Sequence, residues 1–177
     1  MLLDLREVRG SEERVDRTFA ADEISADPGD DYTIVGPVVL RLRLLKDGDK
    51  FRLKGRVESR LRLSCGRCLE SFEVPADLPI DLMYLPQTEN GGDGESEISD
   101  EDLSTGFYRD DQIDLGLVVR EQFQLSLPMK PLCGDGCRGL CPVCGANLNS
   151  ERCSCDTTWR DPRLETLESL LSDSRKG

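Results

Sequence analysis

Between Val39 and Leu63 the chain alternates: Leu40, Leu42 and Leu44, then Phe51, Leu53, Val57, Leu61 and Leu63, fall on one side of a two-residue period. Arg41, Arg43, Arg52, Lys54, Arg56, Arg60 and Arg62 fall on the other. Successive strand side chains point to opposite faces, so this spacing predicts β-strands with one apolar and one cationic face. Asp47-Gly48 lies between the two runs and is a strong hairpin-turn signal. Residues 72–85, FEVPADLPIDLMYL, predict a further strand or pair of strands, which Pro75 and Pro79 should bend or confine to an edge.

Past residue 111 the period changes. In IDLGLVVREQFQLSLP, Asp114 is placed to cap a helix on which Leu117, Val118, Glu121, Gln122 and Leu125 recur at three and four, with Pro128 ending it. In DPRLETLESLL, Asp161 stands at an N-cap and Pro162 at the first helical position, with Leu164, Leu167, Leu170 and Leu171 on one face. Both apolar stripes read as core or docking surfaces. Residues 86–111 carry nine carboxylates and one Arg with few apolar anchors, which reads as an acidic flexible loop. Its carboxylates are a poor magnesium site, because such sites need rigid elements to fix the ion; screening of the basic face in the absence of a partner is another role open to it. The expected architecture is α+β: an antiparallel sheet in residues 1–85, the acidic loop over 86–111, and a helix, a cysteine-rich zinc-binding segment and a C-terminal helix in 112–177, one domain overall.

A chain of 177 residues can bury a core, but 33% charged residues against 5% aromatics leaves part of it short of apolar anchors. The net charge of −12 opposes nonspecific binding to nucleic acid, yet residues 38–68 hold ten Lys or Arg against three Asp or Glu. The cationic face therefore has two readings. One is a phosphate-contacting RNA surface formed by Arg41, Arg43, Arg52, Lys54, Arg56, Arg60 and Arg62. The other is a solvated sheet face on which Glu58, Glu73 and Asp81 pair with those cations across strands.

Eight cysteines remain, six of them within CGDGCRGLCPVCGANLNSERCSC at 133–155, in a chain without histidine. The opening MLLDLREVRG lacks a basic lead and an apolar run, and no stretch approaches a membrane span, so a cytoplasmic protein with reduced thiols is expected. Cys65/Cys68, Cys133/Cys137, Cys141/Cys144 and Cys153/Cys155 form four close pairs. Eight thiols divide into two four-cysteine sites: Cys141, Cys144, Cys153 and Cys155 around one ion, and Cys65 and Cys68 meeting Cys133 and Cys137 across a long closure. Structural zinc is the expected occupant; an iron–sulfur cluster uses the same ligands and thiol redox chemistry is a further use. Without histidine there is no Ser-His-Asp or Cys-His pair within the chain and no histidine-bound catalytic zinc, and no phosphate-cradling loop signature is present. Catalytic residues are not expected.

RLSCGRCLESFEVP, IDLGLVVREQFQLSLPMKPLC, CRGLCPVCGANLN and DPRLETLESL, in that order across roughly residues 35–170, resemble the YceD family, the large ribosomal RNA subunit accumulation proteins of bacteria and plastids. The resemblance implies a non-enzymatic role in accumulating or maturing large-subunit (23S) rRNA during ribosome assembly. It matches Cys65, Cys68, Cys133 and Cys137 to the family's split cysteines, and Cys141, Cys144, Cys153 and Cys155 to a downstream set that its members keep to different extents. The expected partners are large-subunit rRNA or its precursor and a ribosomal protein, with no membrane and no small-molecule substrate. An alternative of a different class is a zinc-thiolate redox switch or chaperone-like adaptor, whose weak point would be Cys153-Ser154-Cys155.

Overall fold

The alternating Leu/Arg runs form two long paired strands, β4 (Val38–Asp47) and β5 (Lys50–Ser64), in the register Asp47↔Lys50 through Val39↔Glu58. Gly48 takes a φ of +60° at the turn between them, a conformation open to glycine without a Cβ penalty. The computed structural model describes residues 1–24, 29–89 and 102–156. It divides into two compact units, residues 1–65 with 70–133, and residues 66–69 with those from 134 on.

In the first unit, β2 (Glu12–Phe19) pairs antiparallel with β4, and β6 (Ser71–Pro86) pairs antiparallel with β5. The short β3 (Tyr32–Ile34) extends the β4 side of β5, opposite Leu61–Leu63. A parallel neighbour, β7 (Thr105–Tyr108), joins β6 at Met83–Pro86, so the sheet is mixed at that edge. Among the described residues no second strand pairs with β6 over Ser71–Leu82, the stretch containing Pro75 and Pro79. Proline has no N–H to donate, so both fit the edge position expected of them. β1 (Leu2–Asp4) and β8 (Gln112–Asp114) make a separate two-stranded sheet.

The even positions of β4 and the odd positions of β5 bury Leu40, Leu42, Leu44, Phe51, Leu53, Val57, Leu61 and Leu63. The helix α1 (Leu115–Ser126) contributes to this core. As expected, Asp114 caps it, its carboxylate accepting from the N–H groups of Gly116 and Leu117 at 2.9 and 3.4 Å. Burial alone would raise the pKa of the Asp114 carboxyl, but the chain's amino group and these N–H donors hold it below its ordinary value. The buried stripe differs from the expected one. Leu115, Val118, Val119 and Phe123 face inward, whereas Leu117 and Leu125 are 46% and 80% exposed. α1 carries apolar residues around most of its circumference, so spacing alone admitted two faces; Phe123, edge-on to Tyr32 at 6.2 Å, fixes which one is used.

Gly55 faces the core opposite Leu42, and a Cβ there would fall on the Arg41 carbonyl oxygen. Any side chain would therefore force the two central strands apart. In the 86–111 segment read as a loop, Gln87–Glu89 and Asp102–Ser104 are 3-10 turns and Thr105–Tyr108 is β7. Tyr108 stacks edge-on against Phe51 at 5.6 Å and donates its hydroxyl to the Asp49 carbonyl at the hairpin tip. Residues 90–101 lie outside the described residues, as does the helix expected from Asp161 to Leu171. Among the described residues no helix is long and apolar enough to cross a membrane.

Candidate metal centres and the charged sheet face

Each C-x-x-C run closes a tight turn. After Ser64 the chain reverses so that the Cys65 N–H reaches the Glu70 carbonyl at 2.9 Å. Cys141-Pro142-Val143-Cys144 closes at the tip of a small hairpin, with the Gly145 N–H on the Cys141 carbonyl and the Cys141 N–H on that of Ala146, at 2.9 and 2.8 Å. The residue behind the second cysteine is left-handed in both turns: Gly145 at φ +73° and Leu69 at φ +62°. Glycine adopts this conformation freely; leucine does so at a cost of about 1–2 kcal/mol.

The sulfurs of Cys65, Cys68, Cys133 and Cys137 lie within 4.8 Å of one another, and so do those of Cys141, Cys144, Cys153 and Cys155. All eight are thiols outside any disulfide. One tetrahedral ion with metal–sulfur bonds of about 2.3 Å sets sulfur–sulfur separations of about 3.8 Å, so each group is drawn in to the scale of a single-ion site. Both groups could hold a metal ion.

The electrostatics of the second group fit a cation. N–H groups of Cys144 and Val143 donate toward the Cys141 sulfur and draw its thiol down to about 6, against the effect of burial. Its neighbours move the other way. Cys155 is pushed up to about 12, first by the hydrogen-bonded Cys144 sulfur and then by burial and Cys141. At Cys153 the N–H of Cys155 pulls the thiol down, but the Cys141 sulfur and burial together outweigh it, and the thiol rises. One thiolate thus forms readily and then opposes the next. A divalent ion held by Cys141, Cys144, Cys153 and Cys155 would remove that repulsion and displace the remaining protons.

Sequence reasoning missed the polar residues that shape this segment. Arg67, between the first two cysteines, donates to the Cys137 carbonyl at 2.9 Å, and its own carbonyl accepts the Leu140 N–H at 3.1 Å. Gly139 packs against Arg67 so closely that a Cβ would lie 3.0 Å from the Arg67 oxygen. Asn149 accepts the Arg138 N–H at 2.8 Å and donates to the Cys137 sulfur at 3.4 Å. The only sequence signal was the polar, turn-forming composition of Asn147-Leu148-Asn149.

The strand registers put Arg41, Arg43, Arg52, Lys54, Arg56, Arg60 and Arg62 on one exposed face. They are interleaved with acids. Arg52 grips Asp81 through two hydrogen bonds of 2.6 and 2.9 Å, holding the Asp81 carboxyl below its ordinary pKa, and Lys54 reaches the same group at 3.5 Å. Arg56 meets Asp77 at 2.7 Å, Arg62 and Arg60 meet Glu73 at 3.0 and 3.8 Å, and Arg43 meets Glu12 at 3.6 Å. Arg41 pairs with Glu58. Glu58, Glu73 and Asp81 pair as the solvated-face reading expects, and Asp77 and Glu12 add to them. With Arg14 and Asp16, which pair on β2, and with Asp47 opposite Lys50 at the hairpin end, the described residues of this face carry nine cations and seven carboxylates, a net of +2.

The family model for YceD, the large ribosomal RNA subunit accumulation protein, matches residues 53–171, which includes all eight cysteines. A chloroplastic protein of Arabidopsis thaliana named as a large ribosomal RNA subunit accumulation protein YCED homolog is 29% identical over 161 residues, covering 79% of this chain and 50% of that relative. Its Zea mays counterpart is 28% identical over 142 residues, with 67% and 48% covered. An uncharacterized protein of Mycobacterium tuberculosis is 29% identical over 142 residues, with 78% and 65% covered. The chain spans about half the length of the plant relatives it matches. No solved structure matches.

Proposed function

Because the chain belongs to the YceD family, we propose that it acts without catalysis in the accumulation of large-subunit ribosomal RNA, as a cytoplasmic assembly factor that contacts the rRNA or its precursor and a ribosomal protein. Family membership carries this reading. Two structural zinc ions fix the shape of the cysteine segment: both ligand sets are all-sulfur with no open position, as a borderline-soft ion held for structure requires. A cluster would spread its cysteine sulfurs over several iron atoms, and the close approach of the four sulfurs in each group supports a single ion instead.

In this reading the rRNA meets Arg41, Arg43, Arg52, Lys54, Arg56, Arg60 and Arg62. Their ion pairs do not remove them from the reckoning. Exposed pairs are worth about 0–1 kcal/mol each, so a phosphate can replace a carboxylate at small cost. The near-balanced charge favours a partner that follows the rows of the sheet over indiscriminate polyanion binding, and the salt dependence reports how many rows it uses.

The test is crosslinking in living cells with sequencing of the attached RNA, alongside a variant carrying Arg52→Gln, Arg56→Gln and Arg62→Gln. Neutralisation is preferable to reversal, because a glutamate at 52, 56 or 62 would face Asp81, Asp77 or Glu73. Reads focused on large-subunit rRNA, and a salt slope of in vitro binding reduced by about 2–3 in the variant, agree with the proposal. Reads in proportion to RNA abundance contradict the rRNA role, and an unchanged slope contradicts this face. A redox role draws support from one observation: the second group has a single buried cysteine, Cys141, beside the exposed Cys144 and half-buried Cys153 and Cys155, whereas the first has three, Cys65, Cys68 and Cys137, beside the exposed Cys133. Mild peroxide would then release metal from the second site first with a gain in client binding, and metal retention under peroxide contradicts it.

A further inference from the structure

The chain around Cys141 folds back on itself. Leu140 bridges to Asn147, and the Leu148 N–H reaches the Gly139 carbonyl at 2.9 Å. One arm of this hairpin leads out of Cys137, a ligand of the first candidate site. The tip carries Cys141 and Cys144 of the second, and the other arm carries Asn149 before the chain continues to Cys153.

Asn149 closes the base of the hairpin. Its Oδ1 accepts the Arg138 N–H at 2.8 Å, and its carbonyl accepts from the Arg138 guanidinium at 3.3 Å. Because Oδ1 faces a backbone donor, the amide orientation is fixed, and Nδ2 points its two hydrogens at the Asn147 Oδ1, 3.0 Å away, and the Cys137 sulfur, 3.4 Å away. Asn147 in turn accepts the Asn149 backbone N–H at 3.0 Å. A donor to a metal-bound sulfur lowers the charge the sulfur must carry and fixes its direction. This donor stands in the eight-residue segment between Cys144 and Cys153, whose path the second site closes.

We propose that Asn149 is a positioning residue that couples the two cysteine sites: with the second site filled, its segment is held closed and its amide stabilises the Cys137 thiolate of the first. The inference rests on both sites holding a metal. By linkage the coupling is reciprocal, so an ion in the first site favours closure of the second.

Metal release from the metal-loaded full chain to a chromogenic chelator tests this, together with the sulfur-to-metal absorption of the cobalt-substituted protein. Asn149→Asp keeps the acceptor for the Arg138 N–H and removes the donors. Release from the first site, identified as the phase lost in Cys68→Ser, should accelerate about tenfold or more, and the cobalt band should move to longer wavelength as the sulfur loses its donor. Asn149→Ala should accelerate the same phase, which covers the case in which an added carboxylate perturbs folding. The joint variant Cys153→Ser with Cys155→Ser empties the second site and should accelerate release from the first alike, and adding Asn149→Asp to it should change nothing more. An unchanged first-site phase and band in the Asn149 variants, or full additivity with the cysteine variant, overturns the coupling. A wild-type chain that binds no metal overturns the metal reading itself.

Discussion

The sheet unit and the cysteine unit differ in what they shield from water. The first buries a continuous apolar cluster running from Leu40, Leu42 and Leu44 through Leu53 and Leu61 to Val118, Val119 and Phe123. In residues 66–69 and 134–156 the shielded positions are Cys68, Cys137, Cys141 and Gly139, Val143 is 63% exposed, and no residue belongs to the apolar cluster. A segment this short and polar has too little apolar surface to offset the entropy of ordering its backbone, which is the condition under which small units adopt metal ions. One part of the chain is organised by burial, the other by turns whose sulfurs converge.

That contrast can be broken most severely at the cysteines. Cys68→Ser or Cys141→Ser removes one ligand from a site whose filling is worth on the order of 10 kcal/mol, and bound metal measured by mass spectrometry should fall by one ion per chain while the sheet's far-UV circular dichroism persists. Loss of the sheet signal in Cys141→Ser would show that the units do not differ in this way.

The complementary break is Gly55→Ala. Its Cβ meets backbone and cannot rotate away, so destabilisation of about 3 kcal/mol or more is expected in denaturant titrations. Metal stoichiometry below the unfolding transition should stay at the wild-type value, and a drop would tie the cysteine unit to the sheet core.

A smaller test sharpens the comparison inside the cysteine turns. Gly145→Ala places a Cβ at φ +73° and should cost about 1 kcal/mol, whereas Leu69→Gly relieves φ +62° and should gain up to about 1 kcal/mol after the added flexibility of the unfolded chain is counted. Metal-retention times should shift in opposite directions; a shift of the same sign in both would refute the strain assignment.

Acid should separate the two units again. Protons compete for the sulfurs, so metal binding weakens as pH falls. In the sheet unit, Asp114 has a depressed folded pKa; its contribution is present above the unfolded value of about 3.9 and is lost as pH falls through the folded one. Asp114→Ala should therefore cost about 1 kcal/mol at neutral pH and little in strong acid, and an equal cost at both would exclude the charged cap.

What could be read in advance follows from how local each feature is. The hairpin was legible because alternation and Asp47-Gly48 are neighbours in sequence, and the two cysteine groups because sulfur has few uses at C-x-x-C spacing. The face of α1 was not, since Leu115, Leu117, Val118, Val119, Phe123 and Leu125 surround it and only packing against the core chooses Phe123 over Leu125. The acid–base mosaic needed the register of four strands, which brings Asp77 to Arg56 and Glu12 to Arg43. Asn149 was hidden because its sulfur contact exists only once the hairpin has closed.

Amide hydrogen exchange, read segment by segment before and after metal is stripped under reducing conditions, tests the division of labour directly. Residues 66–69 and 134–156 should lose protection while β4, β5 and α1 keep theirs, and protection should return on adding zinc. Protection of the cysteine segment unchanged by metal removal, or lost together with that of the sheet, would contradict it.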